Sequence, residues 1–189
     1  AIKDLKYDAT GEYYRATLAN YPLGGNFNSR VNLNLRENKG WTYGARSGFS
    51  ADKYTGYFAF SSGIRADVTD KALTEVMNEM TNYTAKGITQ EEIAFMQSSL
   101  GQRDALMYET GIQKAGFLDR ILEYNLPANF VDEQNKILAN IKKADIDKSV
   151  SKWINPETIN ILLVGDKNKI MPGLSNLGYD IIELDVNGN

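Results

Sequence analysis

The chain contains no histidine and no cysteine. Without imidazole it can build neither a Ser-His-Asp triad nor a histidine-based zinc site. Without thiols it forms no disulfide and no thiolate nucleophile. Carboxylates alone could hold calcium or magnesium, but the loop pattern D-x-[DN]-x-[DN]-G is absent from the sequence. We therefore predict no metal site in this chain, and chemistry that uses arginine, tyrosine, lysine, carboxylates or backbone groups.

The sequence also lacks a net positive charge and long apolar runs. The net charge is −3, and no long basic run is present. Phosphate binding needs a basic surface, so these features exclude a general nucleic-acid binder. No apolar run approaches the roughly 20 residues of a membrane-spanning helix. The first residues, AIKDLKYDATGEYY, lack the basic and apolar regions of a signal peptide, which favours an internal piece of a longer protein over a complete cytoplasmic one.

The residue pattern in the first third of the chain predicts helical segments followed by a β-hairpin. Tyr14, Leu18 and Tyr21 are spaced as on one helical face, over a helix from Gly11 to Tyr21 that stops at Pro22. The stretch NFNSRVNLNLRENKG fits either strand alternation or a helical stripe, and Gly40 after it favours a helix with a glycine cap. From Trp41 to Ile64, aromatic and small residues flank Asp52-Lys53, as in an antiparallel hairpin.

The remainder predicts helices and then two strands. Thr89 and Glu92 have the spacing of a capping box at the start of a helix that runs to about Tyr108. The other predicted helices cover Val68–Lys86, Gln113–Asn125, Phe130–Asn140 and Asp145–Trp153. The apolar run Thr158–Asp166 and the segment Tyr179–Val186 read as strands, separated by a short connector containing proline and glycine. Together these elements predict a single α+β domain over residues 1–189, with helices packed on one face of a largely antiparallel sheet.

Three stretches resemble one peptidase family. LGGNFNSR (Leu23–Arg30) is close to the pattern L-G-G-x-x-x-S-R-L, and LRENKGWTY (Leu35–Tyr43) matches L-R-E-x-x-G-x-x-Y. ILLVGD (Ile161–Asp166) is similar to a closing V-V-G-D strand. Their order and spacing resemble the carboxy-terminal half of the pitrilysin/insulinase zinc metallopeptidases, the inverted zincins, and especially bacterial members similar to mitochondrial processing peptidase. The resemblance covers nearly the whole chain.

The resemblance implies partners and a missing strand. Members of this family pair two α+β halves around a peptide, and the amino-terminal half carries the zinc motif H-x-x-E-H. We therefore expect no cofactor in this chain, zinc in an amino-terminal domain or partner subunit, a peptide substrate, and a possible homo- or heterodimer. A strand precedes the first helix in the family, and nothing before Tyr13 supplies one, so we expect a fragment with an exposed sheet edge. The compartment, bacterial periplasm or cytoplasm, stays open.

The resemblance also implies two site residues. Arg36 and Tyr43 correspond to family residues that reach the substrate. Tyr43 would donate a hydrogen bond to the peptide oxygen that gains negative charge during hydrolysis, and Arg36 would hold substrate carbonyls. A plainer reading has Arg36 neutralising a helix end or a carboxylate, and Tyr43 as a half-buried sheet aromatic. The predicted function is the substrate-binding half of a zinc peptidase; the alternatives are an inactive subunit that pairs with an active one, or a scaffold.

Overall fold

Helical turns occupy most of residues 12–38. A computed structural model describes residues 1–102, 109–185 and 188. Helix α1 (Glu12–Asn20) continues directly into a π-helical turn, Tyr21–Gly25, and helix α2 (Arg30–Asn32) continues into a second, Leu33–Asn38. Gly40 then adopts φ +64°, and its N–H donates to the Arg36 carbonyl at 3.1 Å. The helical alternative for this segment and its glycine cap are confirmed.

The predicted hairpin is confirmed as two antiparallel strands, β1 (Thr42–Ala51) and β2 (Gly56–Ile64). Asp52 closes the turn between them by accepting the N–H groups of Tyr54 and Thr55, at 2.7 and 2.9 Å. Alternate residues of β1, including Ala45 and Phe49, are buried on the helix side. The residues between them face the open side of the sheet.

The two outer edges of this sheet differ in how their backbone groups are hydrogen-bonded. On the outer edge of β1, side chains from the helices satisfy the backbone: Asn32 accepts from the Ala45 N–H at 3.0 Å, and Asn20 donates to the Ser47 carbonyl at 2.7 Å. On the outer edge of β2, Ile2 alone pairs among the described residues, through reciprocal backbone hydrogen bonds with Gly56. The edge of β1 is therefore covered, whereas most of the β2 edge is not.

Helices form most of the remainder of the chain. A 3₁₀ turn, Ala66–Val68, leads into α3 (Thr69–Lys86), and α4 (Gln90–Gly101) starts with the predicted Thr89–Glu92 capping box. Then follow α5 (Gly111–Tyr124), α6 (Phe130–Asn140), α7 (Lys143–Trp153), a 3₁₀ turn (Pro156–Thr158) and α8 (Lys167–Leu174). The predicted helices are confirmed. The predicted extension of α4 towards Tyr108 lies outside the described residues, and α8 occupies a stretch predicted as a connector.

A single core joins the helices to one face of the hairpin. Its largest fully buried side chains include Leu18, Leu23, Met80, Tyr83 and Met96. Tyr83 of α3 spans the core and donates from its hydroxyl to the Ala19 carbonyl at 2.7 Å, and its burial raises the pKa of the phenol. The α+β class with an antiparallel sheet is confirmed.

The two predicted terminal strands are wrong for the described residues. Residues 159–165 and 179–185 belong to no strand, and the structure gives neither segment a backbone partner in a ladder. Leu162 and Val164 are 75% and 91% exposed. The apolar pattern correctly indicates a strand-like sequence, but a strand also needs a neighbouring edge, which local sequence cannot specify. The end of the second segment, Val186, lies outside the described residues.

Candidate functional site

Arg36 lies in the π-helical turn between α2 and β1, at the surface. Its guanidinium forms an ion pair with the neighbouring Glu37 and stacks over the ring of Phe27, with 4.5 Å between the guanidinium carbon and the ring centre. About a third of the side chain is exposed. Arg36 therefore neutralises a carboxylate, as the plainer reading has it. The exposed part of its side chain faces solvent.

Polar contacts to α3 hold this turn in place. Asn34 donates from its amide nitrogen to Glu75 at 2.9 Å and to Glu79 at 2.7 Å. Lys39 reaches Glu75 from the other end of the turn, with 3.2 Å between Nζ and Oε1. The hydrogen bond from Asn34, followed by that from Lys39, lowers the pKa of Glu75 below its ordinary value. The carboxylate of Glu75 therefore fixes the backbone that carries Arg36.

Tyr43 is the fully exposed aromatic at the start of β1. Its relative exposure is 101%, and its hydroxyl makes no hydrogen bond to any described residue. The interpretation of Tyr43 as a half-buried sheet aromatic is therefore wrong. A tyrosine with no packing partner and no hydrogen bond contributes little to the stability of the domain. Its phenol is available to a molecule outside the chain.

A β-bulge sets the direction of Tyr43. The strand register shifts between Thr42 and Ala45, so that β1 has one more residue there than β2. The Thr42 hydroxyl lies 2.8 Å from the Gly63 carbonyl and accepts the Gly44 N–H at 3.0 Å. These contacts satisfy backbone groups that the bulge removes from the ladder. Bulges commonly redirect a side chain beside a functional site, and this one surrounds Tyr43.

The structure brings the backbone segments that carry Arg36 and Tyr43 together. The Trp41 N–H donates to the Leu35 carbonyl at 2.9 Å, which places the start of β1 beside the π-helical turn. Arg36 directly follows Leu35, and Tyr43 comes two residues after Trp41. The two sequence-predicted residues therefore stand on adjacent backbone segments; contacts to α3 hold the first segment, and the bulge shapes the second.

Sequence reasoning missed a shallow cavity on the open face of the hairpin. Its volume is about 280 Å³. The exposed residues that line it are Arg46, Ser50, Tyr57, Ala59 and Ser61, and Gly48 of β1 also lines it. The only signal in the sequence was the alternation of small residues with larger ones in the hairpin, which does not distinguish a cavity from an ordinary sheet face.

The described residues do not fit a zinc site. Within residues 1–102, 109–185 and 188, no three His, Cys, Asp or Glu side chains cluster closely enough to hold a metal ion. In the same part of the chain, no helix has the length and apolar character needed to cross a bilayer. Together, the fold and the surface of Arg36 and Tyr43 define an α+β domain that offers hydrogen-bond donors and no metal centre among its described residues.

The family follows from a direct match. Residues 4–100, just over half of the chain, match the family model described as the peptidase M16 inactive domain. This chain belongs to that family, and the resemblance to a carboxy-terminal domain of the pitrilysin family is confirmed. The comparison with curated proteins found no match.

Solved structures agree with this assignment. The peptidase M16 inactive domain from Pseudomonas fluorescens shares 25% identity and a TM-score of 0.72, over 80% of this chain and 36% of that one. A protease from Helicobacter pylori shares 15% identity and a TM-score of 0.67, over 80% of this chain and 36% of that one. The periplasmic protease PqqL from Escherichia coli shares 18% identity and a TM-score of 0.64, over 81% of this chain and 17% of that one. This chain thus spans about a third of the first two, and the two less identical structures show the fold alone.

Proposed function

We propose that this domain is the non-zinc half of a metallopeptidase, in which it binds a peptide and supplies hydrogen-bond donors to it. A zinc-bearing amino-terminal domain or partner subunit carries out the hydrolysis and supplies the Lewis acid. The observation that carries the proposal is Tyr43, whose phenol is fully exposed, unbonded within the described residues and directed by a bulge. A hydrogen-bond donor without a structural task fits a ligand-binding role.

The role of Tyr43 follows from the charge that develops during peptide hydrolysis. Attack on a peptide carbonyl places negative charge on its oxygen, and a fixed hydroxyl donor stabilises that charge more than it stabilises the ground state. Because Tyr43 makes no hydrogen bond within the described chain, its O–H need not break one to donate. Removal of a comparable donor reduces turnover by about 10²–10³.

Arg36 is proposed to position the substrate. Its guanidinium carries five N–H donors, and one nitrogen is committed to Glu37. The ring of Phe27 beneath the guanidinium restricts its movement. Such an arginine holds backbone carbonyls of a peptide whatever the side chains are, which suits broad peptide recognition.

The test uses the assembled enzyme, with the zinc-bearing domain present. Tyr43→Phe should lower kcat by about 10²–10³. Arg36→Ala should act mainly through KM, because it removes binding that is shared by substrate and transition state. Tyr54→Phe is the matched control, since Tyr54 is another highly exposed tyrosine, in the hairpin turn far along β1. Peptide turnover unchanged in both Tyr43→Phe and Arg36→Ala would reject the proposal.

A second candidate is an inactive subunit that pairs with an active one. The family description as an inactive domain favours it. In that case, variants of Arg36 and Tyr43 would leave turnover intact, and loss of the domain would remove activity only by weakening assembly. The coding sequence upstream of Ala1 separates the two, because H-x-x-E-H in the same polypeptide supports the first candidate.

A further inference from the structure

One buried side chain, that of Asn32, connects the two backbone segments of the candidate site. Its amide nitrogen donates to the Phe27 carbonyl at 2.7 Å, and its amide oxygen accepts the Ala45 N–H at 3.0 Å. Only 3% of Asn32 is exposed. Because one neighbour is a carbonyl and the other is an N–H, only one orientation of the amide satisfies both. Asn32 therefore fixes the backbone at Phe27 relative to the backbone at Ala45.

The two backbone groups that Asn32 holds belong to the two sides of the candidate site. Phe27 carries the ring beneath the Arg36 guanidinium, and Asn32 itself directly precedes the π-helical turn that carries Arg36. Ala45 is the residue at which the strand ladder resumes after the bulge, two residues beyond Tyr43. Loss of the Asn32 amide would therefore release a backbone contact on each side of the site.

We propose that Asn32 is a positioning residue, which acts on Arg36 through Phe27 and on Tyr43 through Ala45. The inference rests on the proposed function of Arg36 and Tyr43 and extends it to a buried residue between them. Two donors that act on one peptide need a fixed relative arrangement, because a displacement of about 1 Å can cost about 10²-fold in rate. The side-chain amide supplies this connection, and its removal leaves a carbonyl and an N–H without their partners.

Asn20 is a counterpart with a purely structural task. It is also 3% exposed, and it also bonds to β1 through both polar atoms of its amide. It donates to the Ser47 carbonyl at 2.7 Å and accepts the Ser47 hydroxyl at 2.5 Å. Both bonds reach one residue, four positions beyond Tyr43. Asn20 and Asn32 thus match in burial and in their number of hydrogen bonds, and they differ in what they connect.

Peptide turnover by the assembled enzyme, with the zinc-bearing domain present, tests the positioning role. Asn32→Ala should lower kcat/KM by about 10-fold to 100-fold, with a higher KM through Arg36 and a lower kcat through Tyr43. Asn20→Ala should lower the Tm by a similar amount, while kcat and KM stay close to the wild-type values. In the Arg36→Ala background, Asn32→Ala should raise KM little further, because the side chain that it positions is gone. Equal effects of the two asparagine variants on kcat/KM would overturn the proposal.

Phe27→Leu provides a second test that does not disturb the core. The Phe27 side chain is 61% exposed, so the Tm should stay close to that of the wild type. KM should rise by about 2-fold to 5-fold, because the guanidinium loses the ring beneath it, and kcat should change little. An unchanged KM would overturn the proposal, also where Asn32→Ala is too unstable to assay.

Failure of the positioning role is distinguishable from failure of the proposed function. Unchanged turnover in both Tyr43→Phe and Arg36→Ala rejects the proposed function, and the positioning role with it. Reduced turnover in these two variants, together with equal effects of Asn20→Ala and Asn32→Ala, rejects the positioning role alone.

Discussion

Arg30 and Glu92 form a bidentate ion pair, with 2.6 Å from Nε to Oε1 and 2.7 Å from Nη2 to Oε2. Both side chains are partly buried. The same guanidinium donates to the Gly87 carbonyl and stacks over Tyr83, while Glu92 also accepts the Thr89 N–H of the capping box. The arginine of the first sequence motif thus joins α2 to the start of α4. Its position contrasts with the surface position of Arg36.

Arg30→Ala should therefore destabilise the domain by about 2–3 kcal/mol, because it leaves a partly buried carboxylate without its charged partner. Arg36→Ala is the control. Its ion pair with Glu37 is more exposed, at 33% and 46% against 20% and 24% for Arg30 and Glu92, and exposed pairs contribute at most about 1 kcal/mol. Urea unfolding of both variants measures the difference. Equal losses of unfolding free energy would contradict the structural assignment of Arg30.

Gly24 should tolerate no side chain. It lies against β1, and a β-carbon built on it would sit 2.1 Å from the Ser47 hydroxyl and 2.5 Å from the Ser47 backbone nitrogen. Ser47 cannot move freely, because Asn20 bonds to both its carbonyl and its hydroxyl. Gly24→Ala should cost about 1–3 kcal/mol through overpacking.

Gly48→Ala provides the matched control for this substitution. A β-carbon at Gly48 meets nothing within 4 Å, although the residue lies in the same strand as Ser47. Thermal unfolding should show a lower Tm than the wild type for Gly24→Ala and a Tm close to that of the wild type for Gly48→Ala. A similar Tm for both variants would mean that close packing is not the reason for glycine at position 24.

Local sequence predicted most of this fold because helices and hairpins are specified locally. The spacing of Tyr14 and Leu18, and the Thr89–Glu92 capping box, are contacts within one or two turns of chain. The segment 159–164 has an equally clear apolar pattern, but the edge that a strand pairs with is a tertiary feature. For the same reason the sequence could not separate Arg30 from Arg36, since their difference lies in Glu92, which is distant along the chain.

The candidate site was predicted only as a pair of residues. The resemblance indicated Arg36 and Tyr43, and it remains a prediction that they touch a substrate. What the sequence could not provide is the bulge at Thr42, because a bulge depends on the register of two strands. Thr42 is an ordinary strand residue by composition, and its hydroxyl contacts become visible only when Gly63 lies opposite.

Thr42→Val should therefore reduce peptide turnover in the assembled enzyme although Tyr43 is still present. The substitution keeps the shape of the side chain and removes the contacts to Gly63 and Gly44 that hold the bulge. Thr42→Ser should restore most of the activity, because it restores the hydroxyl. The stability loss should be about 1–3 kcal/mol, because two intramolecular hydrogen bonds are lost and each usually contributes about 1 kcal/mol.

A double-mutant cycle separates positioning from a general loss of structure. If Thr42 acts by directing Tyr43, Thr42→Val should lower kcat in the wild-type background and have little further effect in Tyr43→Phe. Fully additive losses in the double variant would show that Thr42 acts independently of the phenol.

The turn that carries Arg36 should loosen in acid because of Glu75. The Asn34 amide and the Lys39 ammonium favour the ionised carboxylate, so the pKa of Glu75 in the folded chain lies below its ordinary value of 4.5. A carboxyl group with a lowered folded pKa contributes stability that is fully present above its unfolded pKa. That contribution is lost as the pH falls below 4.5 and through the folded pKa.

Glu75→Gln isolates this contribution, since glutamine keeps an oxygen acceptor for Asn34 but has no charge for Lys39. At neutral pH the wild type should unfold at a higher urea concentration than Glu75→Gln. As the pH falls below 4.5, the gap between their unfolding free energies should narrow, because protonation gives the wild type the same neutral group. A gap that stays constant from neutral to acidic pH would show that the charge of Glu75 does not hold the Arg36 turn.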